Sequence, residues 1–140
     1  MWIKVLLFVL LGVCALFDGR KKEIPLTIVW IGIALAVLLH VRGDLGETAW
    51  PAVVMSMLPG AAFWGLSLVT GEKVGYGDGW VLVMVGLFTG LGQCCLILLV
   101  GLMLESALLL ALMAARKIST DNTVPFAPFL LMGMGVVVWL

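Results

Sequence analysis

The sequence predicts an all-α, polytopic membrane protein with about six transmembrane helices in a single domain, residues 1–140. Hydrophobic residues make up 64% of the chain and charged residues only 11%, and the mean hydropathy is +1.25. A water-soluble domain covers its surface with roughly 25% charged residues, so this composition excludes a soluble globular enzyme and a disordered chain. The net charge of +0 offers no basic field for nucleic acid. The lipid bilayer is therefore the expected environment.

Charged residues and prolines divide the chain into six apolar blocks, at residues 2–17, 25–41, 51–70, 80–91, 94–115 and 125–140. One crossing needs about 20 apolar residues, so the first, fourth and last blocks are short. The fourth spans only about 18 Å at about 1.5 Å per residue, against a hydrocarbon core of about 30 Å. We therefore expect either a thinner bilayer here or a fourth helix that begins earlier, within the glycine-rich residues 75–79.

The basic residues predict the orientation of the six crossings. The loops after the first, third and fifth blocks share one side of the membrane, and they hold Arg20, Lys21, Lys22, Lys73, Arg116 and Lys117. Only Lys4 and Arg42 fall on the other side. The positive-inside rule then places the three basic loops in the cytoplasm and both chain ends outside, in a cell inner (cytoplasmic) membrane. A cleaved N-terminal signal is the alternative, but the first block lacks a small-residue cleavage site.

Two aspartates lie at the same predicted boundary. Asp18 directly follows the first block and Asp78 directly precedes the fourth. Two carboxyl groups in one low-dielectric pocket do not both ionise easily, so one holds a proton while the other does not. That arrangement suits general acid–base attack of water on a peptide bond. The alternative is that each aspartate caps a helix or lies at a solvated loop end.

Three segments resemble motifs of the type IV prepilin peptidases and archaeal preflagellin peptidases, which are membrane aspartyl proteases with a GxGD motif. They are D-x-R-x-x-x-I-P at residues 18–25, GxGD at 75–78 and P-F-x-P-F-L at 125–130. The resemblance implies catalytic roles for Asp18 and Asp78. It implies supporting roles for Arg20, Pro25, Gly75, Tyr76, Gly77, Pro125, Phe126, Pro128 and Phe129. Leu26 and Trp80 depart from the Asn and Lys common in the family, which bears on substrate preference.

The resemblance covers essentially the whole chain and implies one membrane-embedded aspartic endopeptidase domain. Its expected substrate and partner is a type IV prepilin or pseudopilin of a pilus or secretion system, with a basic leader and a transmembrane helix. Cleavage is expected after a glycine at the cytoplasmic boundary, with no metal and no cofactor. The paired CxxC region of longer family members is missing from the sequence, so a short form without methyltransferase activity is expected.

Two other functions stay open at this point. In one, Asp18, Asp78 and Glu105 form a proton or ion route in a transport subunit; in the other, the chain is a noncatalytic scaffold of a secretion or pilus machine. Glu105 lies within the fifth block, where an acid is a functional candidate. Gly101 and Ser106 favour a helix contact through a protonated Glu105, with a proton path as the alternative. Serine or cysteine proteolysis is disfavoured, because the single histidine, His40, lies at the opposite boundary.

Overall fold

The protein is described from a computed structural model, which covers residues 2–21, 25–46, 49–71, 76–117 and 125–139. Within these ranges all regular structure is helical, which confirms the predicted all-α class. The helices are α1 (Trp2–Lys21), α2 (Leu26–Arg42), α3 (Trp50–Met55), α4 (Leu58–Val69), α5 (Tyr76–Thr89), α6 (Leu91–Ala114) and α7 (Ala127–Trp139).

The helices form six apolar segments that follow the six predicted blocks in order. Three are long and apolar enough to cross a membrane: Trp2–Arg20, Trp50–Val69 and Leu91–Ala114. The shorter apolar helices are Leu26–Arg42, Tyr76–Thr89 and Ala127–Trp139. The chain is therefore a polytopic membrane protein.

The third segment contains two helices, α3 and α4. Proline has no backbone N–H to donate and is tolerated in the first turn of a helix. Pro59 accordingly lies in the first turn of α4, and the chain breaks just before it, at Ser56 and Met57. Ser56 and Met57 keep right-handed helical dihedral angles, so α3 and α4 continue as one apolar segment.

Helix α5 lies at the centre of the bundle. It packs against α1, α2, α4 and α6, and every residue from Val81 to Phe88 is buried. A helix surrounded in this way must be apolar on all sides, which explains its continuous run of Val, Leu, Met and Phe. By contrast, most of the surface of α6 is exposed and apolar, as expected for a helix that faces lipid.

The observed ends of two helices differ from the predicted blocks. Helix α5 begins at Tyr76, so of the two alternatives for the fourth block the structure shows the earlier start. Helix α1 continues to Lys21, four residues beyond the first block. Asp18 therefore lies in the last turns of a helix and not after it.

Candidate active site

Asp18 lies on the buried face of α1. The buried residues Leu7, Leu11, Cys14 and Asp18 follow one another at intervals of three or four, the spacing that aligns side chains on one face of a helix. Only 5% of Asp18 is exposed. Its Oδ2 accepts a hydrogen bond of 2.9 Å from the backbone N–H of Ala127, the first residue of α7.

The N–H groups in the first turn of a helix have no partner within that helix, so Asp18 caps α7. Asp18 is thus a capping residue, as in the alternative interpretation. The helix that it caps begins 109 residues further along the chain, which the sequence does not reveal. The bond fixes one oxygen of Asp18 at the start of α7.

Asp78 lies in the first turn of α5 and is half-buried. An acidic residue there is favoured by the partial positive charge of the helix N-terminus. The next residue, Gly79, packs against the indole of Trp64, and a Cβ at this position would lie 3.0 Å from the carbonyl oxygen of Gly60. Helix α4 therefore fixes the turn that carries Asp78.

The described glycines on either side of Asp78 belong to the helix, and Gly79 serves close packing. Gly77 and Gly79 lie within α5, and the described glycines with positive φ are Gly43, Gly46, Gly71 and Gly90. Gly77 and Gly79 are therefore helical, and neither takes positive φ. Gly75 lies outside the described residues.

Three acids from three helices lie close enough for their charges to act on one another. Asp18 of α1 and Glu105 of α6 both lie within range of the charge of Asp78 on α5. Asp18 and Glu105 also lie within range of each other. The sequence placed Asp18 and Asp78 at one boundary, and the structure adds Glu105 to them.

The other motif residues differ in how deeply they are buried and in what they contact. Phe126 packs against Phe63 with ring centroids 5.4 Å apart, and Phe129 is also buried. Tyr76 stacks on Trp64 at 6.0 Å. Pro25, Pro125 and Pro128 are partly buried beside the ends of their helices. Arg20 is exposed, and the ion pair in the described part of the chain joins Arg42 to Asp44.

Trp64 is a residue of this site that the sequence analysis missed. It contacts the rings of Tyr76 and Trp80, and Trp80 in turn contacts Trp30. The indole Nε1 of Trp64 is buried without a hydrogen-bond partner among the described residues. The available signal was the density of Trp around the GxGD segment.

Two cavities of the bundle lie away from both aspartates. A lateral groove of about 540 Å³ runs between α1 and α7, and a cavity of about 90 Å³ lies near His40; neither is lined by Asp18 or Asp78. The groove is lined by Val9, Gly12, Val13, Ala15, Leu16, Pro128 and Leu131. No group of three or more potential ligand side chains that could hold a metal ion occurs in the described ranges.

Comparison with known protein sequences shows what this chain is similar to. A sequence model described as the type IV leader peptidase family matches residues 5–114. A prepilin leader peptidase/N-methyltransferase of Pseudomonas putida is 30% identical over 130 residues, which are 89% of this chain and 45% of that protein. Proteins of the same name from Stutzerimonas stutzeri and Pseudomonas aeruginosa are each 28% identical, over 77% and 83% of this chain and 37% and 41% of their own lengths.

The chain thus spans less than half the length of the curated relatives it matches. No solved structure matches it. The family match extends over more than half of the chain and includes both Asp18 and Asp78. The chain belongs to the type IV leader peptidase family.

Proposed function

We propose that the protein is an aspartic endopeptidase that cleaves the basic leader of a type IV prepilin or pseudopilin, with Asp18 and Asp78 as its catalytic pair. The observation that carries the proposal is that α1 and α5 pack together with Asp18 near the end of α1 and Asp78 in the first turn of α5. The charge of Asp18 acts on Asp78 at this separation. Family membership supports hydrolysis of a leader peptide. The clustering of the acids at one end of the bundle favours a peptidase over an ion route, which needs acids spread through the depth of the membrane.

The chemistry requires one shared proton. One carboxylate removes a proton from water as the water oxygen attacks the scissile carbonyl carbon, and the other carboxyl group donates its proton to the carbonyl oxygen. The tetrahedral intermediate then collapses: the leaving nitrogen takes the proton held by one carboxyl group as the C–N bond breaks, and a hydroxyl group of the intermediate returns its proton to the other carboxylate as the carbonyl group re-forms. No covalent intermediate with the protein forms, and the pair regains its starting proton count.

The surroundings of the two acids suggest how the pair is reached. Asp18 is almost fully buried, and its Oδ2 is bonded to Ala127, which leaves Oδ1 for water or substrate. Asp78 is more exposed, so we assign the entry of water to its side.

We infer the substrate from the names of similar proteins, and the side of the membrane from the distribution of basic residues. The relatives from three bacteria are named prepilin leader peptidases. The basic residues cluster in the loops on the side of Asp18 and Asp78, which by the positive-inside rule supports a reaction at the cytoplasmic boundary. A substrate whose transmembrane helix lies in the bilayer would present its leader at that depth.

The test is cleavage of a candidate prepilin co-expressed in membranes with Asp18→Asn or Asp78→Asn. Loss of either ionisable group should lower turnover at least about 100-fold, the usual contribution of a general acid or base. Asp44→Asn is the matched control, because Asp44 is exposed beside Arg42 at the other end of α2. Near-normal leader loss with either active-site variant would rule out the pair.

A further inference from the structure

Glu105 has no role in the mechanism proposed so far. It lies inside α6, more than two turns before the end of that helix at Ala114. An ionisable residue within a membrane-spanning helix is costly and persists where neighbouring groups compensate it. Its position relative to the other acids therefore needs an explanation.

The packing of α6 on α7 places Glu105 at the start of α7. A Cβ at Gly133 would lie 2.6 Å from the carbonyl oxygen of Ile97, and a Cβ at Gly101 would lie 3.2 Å from that of Phe129. The two helices are thus antiparallel, with residue 97 level with 133 and residue 101 level with 129. Glu105 follows Gly101 by four residues on the same face, which brings it level with residues 125–126.

Asp18 is fixed at the same level. Its Oδ2 accepts the N–H of Ala127, the first residue of α7. The start of α7 therefore binds Asp18 and lies at the level of Glu105. Asp78 also lies within range of Glu105.

We propose that Glu105 is a positioning residue of the peptidase, whose carboxyl group controls the pH range over which Asp18 and Asp78 keep their shared proton. The proposal rests on the proposed function. A third carboxyl group beside the pair opposes further ionisation, because each added negative charge is unfavourable in a low-dielectric site. Glu105 thereby extends the singly protonated, active form of the pair to higher pH.

Few other charged groups can influence this site from the described helices. Helix α6 packs against α3, α4, α5 and α7. Of these, α3, α4 and α7 carry no titratable side chain, and α5 carries Asp78 and the exposed Tyr76. Helix α1 contributes Asp18 and Cys14, and after Asp18 it carries the exposed Arg20 and then Lys21. Arg116 and Lys117 follow the end of α6 in solvent.

The test is the pH profile of leader cleavage by the full chain with Glu105→Gln. Loss of one nearby negative charge should move the alkaline limb of the profile to lower pH by about one unit, while turnover at the optimum changes less than about tenfold. Glu105→Asp keeps the charge and should restore the wild-type profile. Ser106→Ala is the neighbouring control, exposed on the same helix, and should leave the profile unchanged. An unshifted profile for Glu105→Gln would overturn the proposal and leave Glu105 a packing residue.

A second measurement needs no activity. Hydrophobic carbodiimides modify protonated carboxyl groups, so the pH dependence of Glu105 modification reports its own proton. In Asp78→Asn, modification of Glu105 should fall off at lower pH than in the wild type, and unchanged labelling would overturn the proposal. Should no leader be cleaved by the wild type, the labelling still decides whether the acids interact, so failure of the peptidase function is distinguishable from failure of this inference.

Discussion

At the scale of single residues, the two aspartates are held by different means. Asp18 is positioned by a hydrogen bond to the distant Ala127. Asp78 is positioned by its own helix, whose first turn is clamped against α4 at Gly79. Each aspartate is followed directly by a glycine, but the surroundings of Gly19 and Gly79 differ. A Cβ at Gly19 would meet nothing within 4 Å, whereas one at Gly79 would overlap the indole of Trp64.

This difference predicts opposite effects for two matched substitutions. Gly79→Ala should destabilise the fold by about 1–3 kcal/mol, the usual cost of overpacking, and should lower leader cleavage about tenfold or more by displacing Asp78. Gly19→Ala should be neutral or stabilise by up to about 1 kcal/mol, because alanine favours the helix. Thermal unfolding in detergent measures the stability of both variants, and a cleavage assay measures their activity. Equal behaviour of the two would contradict the clamping role of Gly79.

At the scale of elements, the sequence indicated the crossings better than their ends. Apolar blocks predicted all six segments, because lipid requires a continuous apolar stretch whatever the tertiary packing. The extension of α1 to Lys21 could not be predicted, since a helix can continue past a charged residue that finds a partner elsewhere in the fold. Pro59 was a signal in the sequence for the start of α4, but the apolar block at 51–70 was predicted as a single uninterrupted segment.

The contact between α6 and α7 sets the level of Glu105 and yields the next prediction. Gly133→Ala would place a methyl group against the carbonyl oxygen of Ile97. We expect a loss of about 1–3 kcal/mol in stability and reduced leader cleavage, because α7 also carries the N–H that binds Asp18.

Gly135→Ala is the control on the same helix, since the nearest side-chain atom to its added methyl group would be in Phe8, 4.0 Å away. This variant should keep wild-type stability and activity. If Gly133→Ala were equally well tolerated, the close α6–α7 contact would not be needed to position the site.

At the scale of the whole molecule, the number of crossings was enough to predict that Asp18 and Asp78 lie at the same membrane boundary. The first helix ends and the fourth segment begins on the same side in any six-crossing bundle, regardless of how the helices pack. The contact between Asp18 and Ala127 and the level of Glu105 could not be predicted in this way. Both features depend on which small residues form the contacts between helices. The chain has 17 glycines, and the sequence does not indicate which of them lie at such contacts.

The orientation of the bundle is the last prediction. In a chain whose native cysteines are replaced, single cysteines are introduced at Asp44 and Lys117, which are exposed and follow α2 and α6. These positions lie at opposite ends of the bundle, and the basic loops place the Lys117 end in the cytoplasm. A membrane-impermeant maleimide should label Asp44→Cys in right-side-out vesicles and Lys117→Cys only in inside-out vesicles. The reverse pattern would put the acids at the outer boundary, out of reach of a cytoplasmic leader. Labelling of both from one side would contradict the count of six crossings.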